Sequence, residues 1–390
     1  MGDRTLPRAP VYIVAARRSA IGRLGGLHRN RRIEDLAAPI VTQVLEDANI
    51  APAEVGALFV GNTTAGNNPA HVIALLAGIA DRAPALTIDR HTASGLDAIL
   101  LAAARIGSGE IEIAVAGGAE AQSTAPWRLA KPRTLYHVPR FIGLAQSEHG
   151  GPGEMAAIEA AEALAARLGI PRNRQDEYAL ANHIKAELAR EARRMTKEIV
   201  PLRVKPEEAR DELPDEPDIE DLEAFPALLG EGSLTAGNTS LPADGAAFVV
   251  AVSAKTYQRL GRPPALVIRA SASIGVAPAL DIEAPIEAAR ALAARGGRLH
   301  LAQTTCMELG EASAVQAIAT LSALGIADAA VNADGGQIAR GQPGGAASAV
   351  LVVRLFSRLI RNEAPVDGRQ GIAVIGAAGG QGLAALFEKA

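Results

Sequence analysis

The feature that most constrains this chain is a repeat: strand-like and helix-like segments alternate along it twice, with a different kind of sequence between the two runs. In the first run Tyr12–Ala16 is a short apolar strand, Ile33–Asn49 carries helical spacing at Leu36, Ile40, Val44 and Leu45, and Ala57–Val60 is a second strand. His71–Ile79 and Thr92–Ile106 predict helices, and Ile111–Ala116 a further strand. From Ala265 the alternation resumes. Val267–Ser273, Thr304–Leu309 and Ile372–Ile375 read as strands, and Ala284–Ala294, Ala312–Leu324 and Ala346–Ile360 as helices. Such alternation predicts parallel sheets covered by helices on both faces. A strand ending in glycine at Val115-Ala116-Gly117-Gly118 has a counterpart at Val374-Ile375-Gly376. We therefore read one α/β unit, duplicated.

Residues from about 120 to 239 interrupt the first copy. They hold a stretch rich in Pro, Arg and His, two predicted helices (Ala156–Leu168 and Arg174–Arg193), and the acidic run Glu207–Glu223, expected to be a solvated surface loop. Ala246–Val252 then restores a buried strand. The expected division is a first half over 9–256 carrying this insertion and a second half over 262–390.

With 390 residues the chain supports two or three domains of ordinary size. Hydrophobic residues make up 48% and charged residues 21%, a globular balance. A net charge of −4 gives no basic footprint for nucleic acid or an anionic membrane. The single cysteine, Cys306, excludes an internal disulfide and any multi-cysteine metal site. No apolar run reaches the roughly 18 residues that span a bilayer. No signal-type stretch follows the first charges, and Leu6 breaks the myristoylation pattern of the Met1-Gly2 opening. These features predict a soluble, cytoplasmic protein without metal or resident cofactor.

Four glycine-bearing clusters stand out: Thr92-Ala93-Ser94-Gly95-Leu96, Thr235-Ala236-Gly237-Asn238, Gly341-Gln342-Pro343-Gly344-Gly345, and Gly376-Ala377-Ala378-Gly379-Gly380-Gln381-Gly382. A dinucleotide fingerprint needs a following helix and an acidic residue about 20 positions on. Only Leu383–Ala390 follow the last cluster, and no stretch fits a P-loop. Taken singly, each cluster reads as tight turns and close packing. Together they point further, because Thr92 falls at a strand-to-helix elbow after Leu86–Arg90, where main-chain N–H groups can stabilise an oxyanion.

At these residues the sequence resembles the thiolase family, the acetyl-CoA acyltransferases, over nearly its whole length. Thr92–Leu96 is similar to the family's nucleophile elbow and Val115–Glu120 to its Val-Ala-Gly-Gly-x-Glu strand end. Gln175–Ala179 with His183 matches the loop-domain helix, and Thr235–Ser240 with Asp244–Ala247 the Thr-Ala-Gly-Asn-x-Ser motif. Gly335-Gly336, Gly341, Pro343 and Gly345-Ala346 follow the Gly-His-Pro motif, and Gly379–Gly382 the terminal glycine run. The resemblance implies a five-layered α/β/α/β/α fold of two similar halves, with a loop domain inserted in the first. It also implies a homodimer or homotetramer, with the first-half sheets pairing across the interface.

The resemblance does not carry the chemistry with it. Where the family has its nucleophilic cysteine this chain has Thr92, and where it has the activating histidine, Gln342. The asparagine that helps hold the oxyanion-hole water falls on Gly310, and the acid/base cysteine on Gly376. A cysteine pKa can be lowered to give a thiolate, whereas a threonine hydroxyl needs an adjacent base. An amide is no such base, and glycine has no side chain. His91 points elsewhere on the elbow and is read as packing or capping, Cys306 as core, Glu308 and Glu311 as flanking carboxylates with Glu311 structural, and Trp127 as an anchor of the loop domain. Thr92 itself fits the ordinary role of a helix N-cap.

What the substitutions spare is binding apparatus: an oxyanion hole of main-chain N–H groups, here of Thr92 and Ala378, and Ser240, which matches the family serine near the pantetheine arm. The first expectation is a thiolase-like protein that binds CoA or an acyl-CoA, serving as a non-catalytic subunit or with a protein partner. An active acyltransferase with a remodelled site built on Thr92 is the alternative, and a purely structural role the third.

Overall fold

A computed structural model describes residues 9–132, 154–202, 209–214, 217–295, 299–361 and 368–390, together with Thr134, Val138 and Phe141. The first part contains β1 (Val11–Arg18), β2 (Gly22–Arg23), α1 (Ile33–Asp47), β3 (Ala57–Gly61), α2 (Pro69–Leu76), β4 (Ala85–Ile88), α3 (Ser94–Gly107) and β5 (Ile113–Glu120). Then come α4 (Glu154–Leu168), α5 (Arg172–Glu191), α6 (Ile219–Ala224), β6 (Ala243–Ser253) and α7 (Ala254–Arg259). The second part contains β7 (Leu266–Gly275), α8 (Ala284–Arg295), β8 (Met307–Leu309), α9 (Ala314–Leu324), α10 (Gln337–Arg340), α11 (Ala347–Phe356), β9 (Gln370–Ala377) and β10 (Gln381–Lys389).

The strands pair in the order β4-β3-β5-β6-β1-β7-β10-β9-β8, with β2 on β6. Strand directions make the duplication explicit. β3 and β5 are parallel, and β6 is antiparallel to both β5 and β1. β8 and β9 are likewise parallel, and β10 is antiparallel to both β9 and β7. Each half thus repeats the other, and they meet where Tyr12 pairs with Val267 and Ile13 with Leu266. In the second half the turn Ala378–Gly380 joins β9 directly to β10. In the first half the equivalent connection runs from residue 121 to 242 and carries α4, α5 and α6.

The expectation of parallel sheets is corrected: each half is mixed. Strand–helix alternation is silent on direction, and β6 is buried along its whole length, so its apolar run looks like any parallel core strand. β10 was missed altogether, because its small residues follow the glycine run without a helix between. Thr304–Leu309 shortens to Met307–Leu309, and α3 starts at Ser94 rather than Thr92.

Helices α3 and α11 lie in one apolar core between the halves, joining Leu96, Ile99 and Ala102 to Val350 and Val353. On the outer faces, Leu36, Ile40 and Val44 of α1 pack on Val60 and Val250, while Leu292 of α8 and Ala317 of α9 pack on Leu309 and Leu386. The result is five layers. Small residues let the central helices approach: a Cβ on Gly95 would fall 2.8 Å from the Cβ of Ala349.

The acidic run is not simply a solvated loop. Residues 207–208 and 215–216 lie outside the described residues, but Asp211 is buried. The fully buried Arg18 pairs with Asp211 at 2.5 Å and with Glu198 at 2.7 Å, and Arg340 meets Asp211 at 2.9 Å. Arg354 pairs with Glu198 and Asp334. Burial alone would raise the Asp211 carboxyl, yet Arg18 and Arg340 hold it well below the ordinary carboxylate range. This network bolts the inserted segment to both halves. Composition marked the stretch as polar without revealing that one of its acids had buried partners.

Candidate active site

The elbow is built by backbone strain and one serine. His91 adopts φ +48, a left-handed conformation unusual for a non-glycine residue. Ser94 Oγ accepts from the N–H of Arg90 at 2.7 Å and donates to the carbonyl of His91 at 2.5 Å, closing the turn before α3. His91 is therefore the strained pivot of the elbow, and its N–H donates to Asp89.

Thr92 is not the N-cap. Its hydroxyl donates to the carbonyl of Gly376 at 2.7 Å, across the boundary between halves. Arg90 makes a second crossing, its Nη1 reaching Ser273 Oγ of β7 at 2.9 Å. Two of the positions singled out in the sequence, Thr92 and Gly376, are thus in direct contact. A carbonyl oxygen accepts this hydrogen bond but is no proton-abstracting base for the hydroxyl.

The other positions are held by hydrogen bonds of their own. The N–H of Gly310 donates to Val374 of β9 at 2.8 Å. A Cβ on Gly310 would fall 2.5 and 2.6 Å from Cγ1 and Cδ1 of Ile375, so that isoleucine occupies the space of any side chain at 310. At Gly376 a Cβ would meet Pro285 at 3.0 and 3.1 Å, a tight fit against a buried ring. The N–H of Ser240 donates to the carbonyl of Ala312 at 3.1 Å, and Gln342 hangs from Leu241 by its own N–H at 2.8 Å. The Gln342 amide donates to Gln337 Oε1 at 3.0 Å. Ala378 opens the turn at the end of β9, followed by Gly379 and Gly380 at φ +84 and +81.

The remaining candidates resolve by burial. Cys306 is fully buried in the central core, and burial pushes its thiol up to about 12, far from a thiolate. Glu311 accepts from Tyr178 and Asn182, both at 2.8 Å, and is a structural hub between α5 and the second half. Glu308 faces Arg358 at 3.4 Å, away from the elbow. Trp127 is 85% exposed and touches Phe141 edge-on, so it does not anchor its segment by burial as expected. His183 lines an apolar groove of about 550 Å³ with Leu180, Ile184 and Leu188, which Thr92 does not line.

Sequence reasoning missed Ser94 and Ile375. Ser94 was visible within the elbow motif; Ile375 shows itself only through its approach to Gly310, brought about by the fold. Among the described residues no cluster of His, Cys, Asp or Glu is placed to hold a metal ion, and no helix is long and apolar enough to cross a membrane.

Comparison with known proteins agrees with this architecture. The family model for the thiolase N-terminal domain matches residues 11–255, and that for the thiolase C-terminal domain residues 262–389. The chain is 35% identical over 403 residues to a beta-ketoadipyl-CoA thiolase of Pseudomonas putida, covering 97% of this chain and 99% of the relative. It is 32% identical over 402 residues to an acetyl-CoA acetyltransferase of Cupriavidus necator, with the same coverage. The crystal structure of a Bacillus anthracis acetyl-CoA acetyltransferase superposes with a TM-score of 0.91 at 30% identity, covering 99% of this chain and all of that one. This chain therefore belongs to the thiolase family.

Proposed function

We propose that this protein binds acyl-CoA thioesters on a thiolase scaffold but runs neither thiolysis nor Claisen condensation by a cysteine route. The observation that carries this is the Thr92–Gly376 hydrogen bond: the elbow hydroxyl is spent on a backbone carbonyl, and the residue supplying that carbonyl has no side chain. Gln342 and Gly310 stand at the other two family positions, and neither offers a group that takes up or releases a proton near neutral pH. Losing one member of such a unit already costs powers of ten in rate.

Binding does not depend on the substituted side chains. The N–H groups of Thr92 and Ala378 belong to the backbone, and Ser240 keeps its place beside the Ala312 carbonyl. Relatives of this chain are named for acetyl-CoA and beta-ketoadipyl-CoA, which supports an acyl-CoA as the ligand class. We further assign the protein to the cytoplasm, as a homodimer or homotetramer in which the first-half sheets pair across the interface.

The test is calorimetric titration with CoA and acetyl-CoA, alongside an assay for CoA release. Binding without release is the expected result. Release that disappears in Thr92→Ala would establish the remodelled acyltransferase instead, and absence of binding at millimolar ligand would leave a scaffold role only.

A further inference from the structure

A pocket of about 420 Å³ lies beside the C-terminal end of α5, and four arginines line it: Arg190, Arg193, Arg210 and Arg340. Met195 and Leu213 give it an apolar wall, and neither Thr92 nor Ser240 borders it. The one acid in its lining, Asp211, is already engaged. It accepts from Arg18 at 2.5 and 2.9 Å, from Arg340 at 2.9 Å and from the N–H of Ile21 at 2.9 Å. Arg190 is held by Glu187 at 2.6 Å. Arg193 and Arg210 are exposed, and among the described residues no carboxylate pairs with either. The bare carbonyls of a helix C-terminus repel an anion. Here those of Leu188, Ala189 and Arg190 are covered by the N–H groups of Ala192, Arg194 and Arg193.

The buried network that includes Arg340 holds more positive than negative charge. Its ion pairs link Arg18, Arg340, Arg354 and Arg194 to three carboxylates, those of Asp211, Glu198 and Asp334. Arg340 lines the pocket although it is only 5% exposed. Its Nε donates to Asp211 and its Nη1 to the carbonyl of Gly335, while its Nη2 makes no hydrogen bond among the described residues. Burial, with Arg18 and Arg354 close by, holds this guanidinium below the ordinary arginine value. A buried charge short of its counter-charge is costly, and guanidinium forks match phosphate oxygens two at a time. We propose that the pocket is a phosphate-binding site separate from the elbow, with Arg340 at its base and Arg193 and Arg210 as clamps. Several guanidiniums around one pocket suit the double charge of a phosphate better than the single charge of a carboxylate. The volume exceeds that of a bare phosphate and falls among small-molecule sites, so the group is carried by a small molecule whose apolar body rests on Met195 and Leu213.

The experiment is calorimetric titration of the full chain with inorganic pyrophosphate at fixed ionic strength, with acetate as the singly charged control. Pyrophosphate is expected to bind, and acetate about tenfold or more weakly. The double variant Arg193→Gln/Arg210→Gln changes two exposed side chains, and is expected to weaken pyrophosphate binding about 100-fold while its unfolding midpoint stays put. Arg340→Gln removes the base of the site but also opens the buried network, so the exposed pair decides if that variant does not fold. Arg290→Gln, on α8, is expected to bind normally. Saturating acetyl-CoA is expected to leave pyrophosphate affinity unchanged. No pyrophosphate binding, equal binding of acetate, or undiminished binding in the double variant overturns the proposal. Displacement by acetyl-CoA overturns it too, because the pocket would then seat that ligand's own phosphates.

Discussion

Thr92 and Gly376, residues from opposite halves of a duplicated fold, are joined by a 2.7 Å hydrogen bond from the threonine hydroxyl to the glycine carbonyl. The bond clasps the elbow before α3 to the end of β9. Thr92→Ala is expected to lower stability by about 1 kcal/mol, the net value of one hydrogen bond, and to leave acyl-CoA affinity unchanged. Denaturant melts and calorimetry of the variant check both halves of that statement. Thr92→Cys alone is expected to restore no thiolysis, since no base joins it.

Gly310 is filled by a neighbour rather than left empty. With Ile375 atoms at 2.5 and 2.6 Å from its virtual Cβ, Gly310→Asn is expected to destabilise by about 1–3 kcal/mol through overpacking. Adding Ile375→Ala is expected to cost less than the sum of the two single changes, by about 0.5–3 kcal/mol. Additive effects in that double-mutant cycle would mean the two positions are not packed against each other.

Much of this was legible in the chain. The alternation and the glycine-ended strands gave the duplication, and the elbow stood out because a helix pattern starts abruptly after Leu86–Arg90. Strand direction was not legible, because β6 and β10 present the same apolar face pattern in either orientation. The buried role of Asp211 was equally hidden: its partners Arg18 and Arg340 are separated from it by 193 and 129 residues, and no local spacing encodes such contacts.

Glu120 is the hub under the glycine clusters. It is fully buried and accepts from Asn62 at 2.8 Å, from the Thr63 hydroxyl at 2.6 Å and from the N–H of Gly345 at 2.8 Å. Glu120→Ala strands those donors, and a loss of about 3 kcal/mol or more is expected in denaturant unfolding. A loss below 1 kcal/mol would contradict the hub role.

Glu308 gives a pH signature. Burial pushes its carboxyl from 4.5 up to about 7, only partly opposed by Arg358. Between those values the folded chain keeps a proton that the unfolded chain has released, so this group's contribution to stability falls as pH rises and levels off above 7. Asp211 and Glu198, held low by their arginines, act in the opposite sense and lose their contribution only in acid. Glu308→Gln is therefore expected to gain on the wild type by roughly 1–3 kcal/mol across that window, read from denaturation midpoints. A constant difference across the window would contradict it.

The most direct trial of the proposal that this thiolase scaffold runs no sulfur chemistry is intact-protein mass spectrometry during incubation with acetoacetyl-CoA and CoA, with acetyl-CoA formation followed in the same sample. The account predicts an unmodified chain and no acetyl-CoA above the protein-free background. An acetylated chain, or acetyl-CoA formation that vanishes in Thr92→Ala, would contradict it.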